Sequence, residues 1–200
     1  MKHRHIALLG VALLSGCATL PEPRAPAGPD ARDCHRWHIS GRIGVIRNEA
    51  GWHGGFDWHQ IGERYRISFR GPLGQGGLLV IGDAGRARLV PARGAPLEGR
   101  DIDRLVARAL GWPVPVTGLG YWVRGRLAPG REGQVLKDAR GLPEQIRQDG
   151  WVIDFSAWTE DPAGHSWPTR IRAVRDGLKL RVVLKQPVCE EGRPASGNDA

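Results

Sequence analysis

Long apolar runs are scarce in this 200-residue chain. The run from Ile6 to Leu14 is too short to span a bilayer by itself. Methionine is limited to the initiator, and cysteine to Cys17, Cys34 and Cys189. No block of five or more like charges occurs, which argues against a nucleic-acid-binding arm. No Gly-x-Ser-x-Gly is present, so a hydrolase elbow has no candidate. The glycine-rich stretch Gly71 to Gly77 lacks a Lys-Ser/Thr pair after Gly76 and is not a phosphate-binding loop. What remains is enough chain for one domain with a real core, eight tryptophans, and a net charge of +8 with a pI near 10.2. Such a balance favours anionic partners such as lipid headgroups or lipopolysaccharide.

Part of that charge, Lys2 and Arg4, belongs to a segment that is expected to be removed. A basic start, the run Ile6 to Leu14 and the small residues Ser15 and Gly16 describe a signal peptide over residues 1–16. Leu14-Ser15-Gly16-Cys17 resembles the lipobox of bacterial lipoproteins. That resemblance implies cleavage before Cys17 and acylation of its sulfur and amine. Ala18, rather than Asp, follows it, which implies sorting to the outer membrane, lipid-anchored on the periplasmic face. One acyl chain holds a protein only marginally, whereas two or more anchor it. Residues 17–30 then carry Pro21, Pro23, Pro26 and Pro29, an extended spacer with a reach of about 40 Å at roughly 3.1 Å per residue.

Residues 31–188 read as a single domain built mainly from strands. Trp37, Ile39, Ile43 and Val45 alternate with polar or small residues, as do Trp52, Gly54, Phe56 and Trp58. Tyr65, Ile67 and Phe69 share one face of the next strand, and Leu78 to Ile81 is its return. Between these two lies Gly71-Pro72-Leu73-Gly74-Gln75-Gly76-Gly77, a connection that cannot join a ladder and that carries one large apolar residue, Leu73. The period then changes. Ile102, Leu105, Val106, Ala109 and Leu110 define an amphipathic helix, with Asp101 as N-cap and Gly111 past its end. Thr117 is the expected cap of a second short helix carrying Leu119, Trp122 and Val123. Strands resume within Val135 to Gln148, and hairpins turn at Asp149-Gly150 and Asp176-Gly177. From Gln186 the chain turns polar, and residues 189–200 are expected to be a disordered tail. Strands, two helices, then strands make an α+β fold: an antiparallel sheet with its helices on one face. The bulky inner phase of Trp37, Trp52, Phe56, Trp58, Tyr65 and Phe69 suggests a strongly curved sheet around an apolar interior.

The order of these pieces resembles the LolB family of outer-membrane lipoprotein receptors. The matching residues are the lipobox, Trp58-His59-Gln60, Tyr65-Arg66 followed by Pro72-Leu73-Gly74, and Leu110-Gly111-Trp112-Pro113-Val114-Pro115-Val116. Trp122-Val123-Arg124-Gly125, Gly150-Trp151 and the strands around Pro168 and Leu178 to Leu184 complete the set. The resemblance implies an unclosed antiparallel β-barrel with a helical lid over an apolar cavity, and no enzymatic activity. It implies that triacylated lipoproteins are accepted from the periplasmic carrier LolA and placed in outer-membrane lipid. It also gives Leu73, with Pro72 and Gly74, the role of a membrane-insertion loop. The ending Pro187-Val188-Cys189 departs from the family's aromatic strand end and leaves the length of the last strand open. A monomer is expected, with no nucleic acid and no cofactor.

His38, His53 and His59 fall on polar strand phases without ligand-like spacing, so they read as surface residues and no metal is expected. Cys34 and Cys189 either pair or stay as free thiols. The tryptophans could also stack on sugars, which keeps a second function open: a non-enzymatic envelope lipoprotein binding peptidoglycan or lipopolysaccharide. An open apolar interior favours lipid transfer, whereas an exposed tryptophan row favours glycan.

Overall fold

Two antiparallel meanders meet at their first and last strands. The computed structural model describes residues 31–48, 50–72 and 77–190, so the signal peptide, Cys17, the spacer, Leu73 and Gly74 lie outside the described residues. The first meander holds β1 (Arg36–Arg47), β2 (Ala50–Ile61), β3 (Arg64–Arg70), β4 (Gly77–Gly82), β5 (Ala87–Pro91) and β6 (Leu97–Gly99). Two helices follow, α1 (Ile102–Leu110) and α2 (Val116–Trp122). The second meander holds β7 (Gly133–Lys137), β8 (Pro143–Gln148), β9 (Trp151–Glu160), β10 (Ser166–Arg175) and β11 (Leu178–Cys189). Sheet order is β6-β5-β4-β3-β2-β1-β11-β10-β9-β8-β7, every pair antiparallel and β6 unpaired with β7. The barrel is therefore unclosed.

The local causes are legible in the residues. Burial alternates along β11 from Leu178 to Leu184, which sets the inner face. Asp149-Gly150 and Asp176-Gly177 are left-handed at both positions, as a tight hairpin of the right twist requires. Neighbouring backbone crowds Gly41 and Gly54. The carbonyl oxygens of Val183 and Arg70 occupy the space where their Cβ atoms would sit. Asp101 caps α1 by accepting from the Arg104 N–H at 3.1 Å, and Gly111 ends it at φ 74°. α2 starts two residues earlier than expected, with Pro115 rather than Thr117 at its N-cap. Thr117 instead lies in the first turn and donates its N–H to Asp103 of α1 at 3.0 Å, tying the two helices together.

The C-terminal expectation is corrected. β11 continues through Pro187 to Cys189, because a bulge absorbs the proline. His38 pairs with Val188 and Ser40 with Lys185, so β11 carries one extra residue there, with Gln186 left-handed at φ 48°. Cys34 and Cys189 form a disulfide, Cα atoms 5.9 Å apart. The buried carboxylate of Asp161 accepts N–H groups of Cys189 (2.9 Å), His165 (2.9 Å) and the Trp167 indole (3.1 Å). Burial alone would raise its pKa. The hydrogen bonds outweigh burial and hold it below the usual carboxylate range.

The core lies between the sheet's inner face and the helices. Trp37, Trp122 and Trp167 are fully buried, and Trp37 packs on Trp58 with ring centroids 5.3 Å apart. Gln148, also buried, accepts from the Trp122 indole and the Ala128 N–H and donates to the Ala128 carbonyl. It thereby fastens the irregular stretch after α2 to β8.

Candidate functional site: an apolar cleft under a helical lid

The connection from β6 to β7 joins opposite rims of an open sheet, so it must cross the mouth. Its helices are amphipathic and turn their apolar residues inward. α1 buries Ile102, Leu105 and Val106, and α2 buries Val116, Leu119 and Trp122. Under α2 lies an entirely apolar cleft. Ile43 of β1, Phe56 and Trp58 of β2, Phe69 of β3 and Val182 of β11 form its floor. Val114, Val116, Leu119 and Val123 form its roof. With the lid in place the cleft is narrow, about 20 Å³, which is room for a single water-sized probe. A larger ligand needs α2 to lift or shift from the floor.

Of the aromatic residues expected to line the interior, Phe56, Trp58 and Phe69 do so. Trp37 sits behind the cleft in the solid core, its indole N–H without a hydrogen-bond partner among the described residues. Trp52 packs edge-on to Phe69 at 6.5 Å. Tyr65, half-buried, borders a different groove, and burial, with Asp103 and Asp83, pushes its hydroxyl up to about 12. The roof residues were foreshadowed only by the helical spacing of Leu119 and Val123. Val114 lies in a Pro-flanked segment that has no period to read. Pro72 is exposed at the end of β3, and its loop starts two residues after the cleft-lining Phe69.

One cation lies deep in the lid. Arg124, 9% exposed, donates to the carbonyls of Cys34 at 2.8 Å and Gly120 at 3.2 Å. Its guanidinium stands 5.6 Å from the Trp37 ring centroid and 5.7 Å from that of Tyr121. Burial, helped by the charge of Arg126, lowers its pKa to about 10, so it stays charged at neutral pH. Sequence spacing gave no sign of this clamp, which joins the end of α2 to the turn before β1.

The outer face differs in chemistry. A groove of about 1250 Å³ runs across β2 to β6 and is lined by Arg36, Arg64, Arg66, Arg86, Arg88 and Arg100, with Asp57, Asp83 and Glu98 among them. At its edge the strand register brings His38, Asp57 and His59 together, which their separation in sequence had concealed.

An open antiparallel half-barrel, apolar inside and roofed by two helices, defines a class of scaffold suited to hydrophobic ligands. Two solved structures share the fold. A DUF1329 family protein from Desulfovibrio piger matches at TM-score 0.54 and 9% identity, covering 82% of this chain and 89% of its own. A domain described as an outer membrane lipoprotein-sorting protein from Vibrio parahaemolyticus matches at TM-score 0.51 and 10% identity, covering 84% and 91%. At the sequence level the chain belongs to the outer membrane lipoprotein LolB family, whose model matches residues 35–186. Similar curated proteins include the outer-membrane lipoprotein LolB of Chromohalobacter salexigens, 33% identical over 90% of this chain and 88% of the relative. That of Xanthomonas campestris pv. campestris is 32% identical over 92% and 95%.

Proposed function

We propose that this protein is anchored in the outer membrane through acyl chains on Cys17, faces the periplasm, accepts triacylated lipoproteins from a LolA-type carrier and inserts them into the outer membrane. The observation that carries the reading is the wholly apolar cleft beneath α2 in a chain of this family. An acyl chain of about 16 carbons exposes more than ~10 kcal/mol of apolar surface at roughly 0.8 kcal/mol per CH₂. Release through water is therefore too slow, and cargo must pass directly between apolar sites. No nucleophile is required. The direction of transfer comes from differential affinity alone.

The loop at Pro72, Leu73 and Gly74 would serve the last step. Burying one leucine contributes roughly 1.5–3 kcal/mol. That is too little to anchor a protein but enough to bias its orientation about tenfold, since 1.4 kcal/mol is a factor of ten. The tryptophans argue against the glycan reading. Trp37, Trp58, Trp122, Trp151 and Trp167 are buried, and Trp52, Trp112 and Trp158 pack partly against the core, so they form no exposed row.

The test has two arms. The full-length protein is mixed with a carrier–lipoprotein complex, and cargo is followed to the receptor and then to liposomes. Leu73→Glu should accept cargo normally, melt at the same temperature and leave cargo stalled on the receptor. A stable Leu73→Glu variant that inserts cargo at the normal rate removes the loop from the account. Failure of the unmodified protein to strip the carrier removes the function.

A further inference from the structure

β1 and β2 pair so that His38 stands directly opposite His59, and Ser40 opposite Asp57. All three ligand-type side chains leave the sheet on its outer face, away from the cleft and lid. The Asp57 carboxylate bridges the Nε2 atoms of the two imidazoles. One carboxylate oxygen is 2.8 Å from His38 Nε2 and the other 3.0 Å from His59 Nε2. The rings stack with centroids 4.1 Å apart and planes 10° from parallel. One ligand atom from each residue lies within 4.8 Å of the others. Two imidazole nitrogens and a carboxylate are thus already gathered, on paired strands rather than on a loop.

We propose that His38, Asp57 and His59 form a binding site for one divalent transition-metal ion of the zinc and copper class. Two imidazole nitrogens and one carboxylate are the donor set such ions prefer, whereas calcium and magnesium seek oxygen ligands. Metal–ligand bonds of about 2.0–2.1 Å place neighbouring donors about 3.3 Å apart in a tetrahedral site. Each imidazole now faces a different oxygen of Asp57, so a small turn of the carboxylate and a splaying of the stacked rings bring one oxygen and both Nε2 atoms, already within 4.8 Å of one another, around one centre. The side chains can make that adjustment, being 29% (His38), 28% (Asp57) and 47% (His59) exposed, which also gives the ion a path in from solvent. With three protein ligands a fourth position stays open. Asp57 and His59 border the arginine-lined groove, so that position faces it and takes water or a small anion.

The test uses the untagged full-length protein in detergent, stripped with a chelator and titrated with Zn²⁺ or Cu²⁺ against a competing indicator. The expected result is one ion bound per chain at micromolar or lower dissociation constant, and none of Mg²⁺ or Ca²⁺. His38→Ala, Asp57→Asn and His59→Ala should each weaken binding about tenfold or more, while His53→Ala, on the same face of β2 but outside the cluster, leaves it unchanged. Melting of the metal-free variants checks that they fold. With Cu²⁺, the electron paramagnetic resonance spectrum should show two coupled nitrogens, falling to one in either histidine variant. Absence of stoichiometric binding, or binding that survives loss of both histidines in a folded protein, overturns the proposal.

Discussion

Reducing the Cys34–Cys189 bridge removes a cross-link between residues 155 apart without deleting a single heavy atom from the core. In the chain-entropy model a closed loop of this size restricts the unfolded chain by about 5 kcal/mol at 25 °C. Measured effects often fall short of that figure, so about 4 kcal/mol is a fair expectation. With a urea dependence of about 2 kcal/mol per molar, the midpoint should drop by about 2 M. The assay is paired equilibrium urea unfolding, followed by tryptophan fluorescence, of oxidised protein and protein kept in dithiothreitol. Cys34 is 1% exposed and Cys189 9%, so reduction of the native state should be slow unless the end of β11 opens. Hydrogen exchange of the reduced form should show early loss of protection at the Trp37–Cys189 and His38–Val188 rungs, where the bridge clamps the strands. Coincident unfolding curves for the two forms would refute the reasoning, since they would mean the cross-link constrains neither state.

Phe56→Glu places a charge in the cleft floor at a residue 5% exposed, where no carboxylate partner is available on the apolar walls. It should destabilise the domain by about 3 kcal/mol or more and abolish acyl binding; full cargo binding by a folded variant would contradict the cleft assignment. Asp161→Asn exchanges an acceptor of several N–H groups for a side chain with one acceptor oxygen, and should cost about 2–4 kcal/mol at neutral pH by thermal or urea unfolding. Its depressed folded pKa makes the contribution full above the unfolded value of 3.8, and lost as pH falls through the folded pKa. The native protein should therefore weaken on acidification below about pH 4, and the Asn variant should show a flatter acid limb. Gln148→Leu leaves the Trp122 indole and the Ala128 backbone without partners, and should cost about 2–3 kcal/mol and loosen the end of α2 in hydrogen exchange.

Periodicity made most of the fold legible. The alternation in β1, β2, β3 and β11 and the helical spacing in α1 each reported which side chains face inward. Phase, however, gives a face and not a depth. It could not separate Phe56, Trp58 and Phe69 in the cleft from Trp37 in the core behind it, or from Tyr65 at the rim. β6 is three residues long, too short to carry a period. The polar composition from Gln186 argued for an early strand end; the bulge at Gln186 is a property of two strands together. The disulfide and the His38–Asp57–His59 cluster share that origin. The first needs β1 to pair with β11 and the second needs the β1–β2 hairpin to take one register, and no spacing within a single strand encodes either. Thr117 bonds Asp103 instead of capping α2 for a similar reason, since its partner comes from a neighbouring helix.

The lid's connectivity has a mechanical meaning. Residues 100–132 run from β6, at one rim, to β7, at the other, and α1 rests on β5 and β6. A cover attached on one side opens like a door. A cover attached at both sides behaves as a strap, whose height over the mouth and the distance between the rims vary together. Here the strap is also pinned part-way, since Arg124 ties the end of α2 to the turn before β1. Raising α2 from the cleft therefore asks either that clamp or the open seam between β6 and β7 to give.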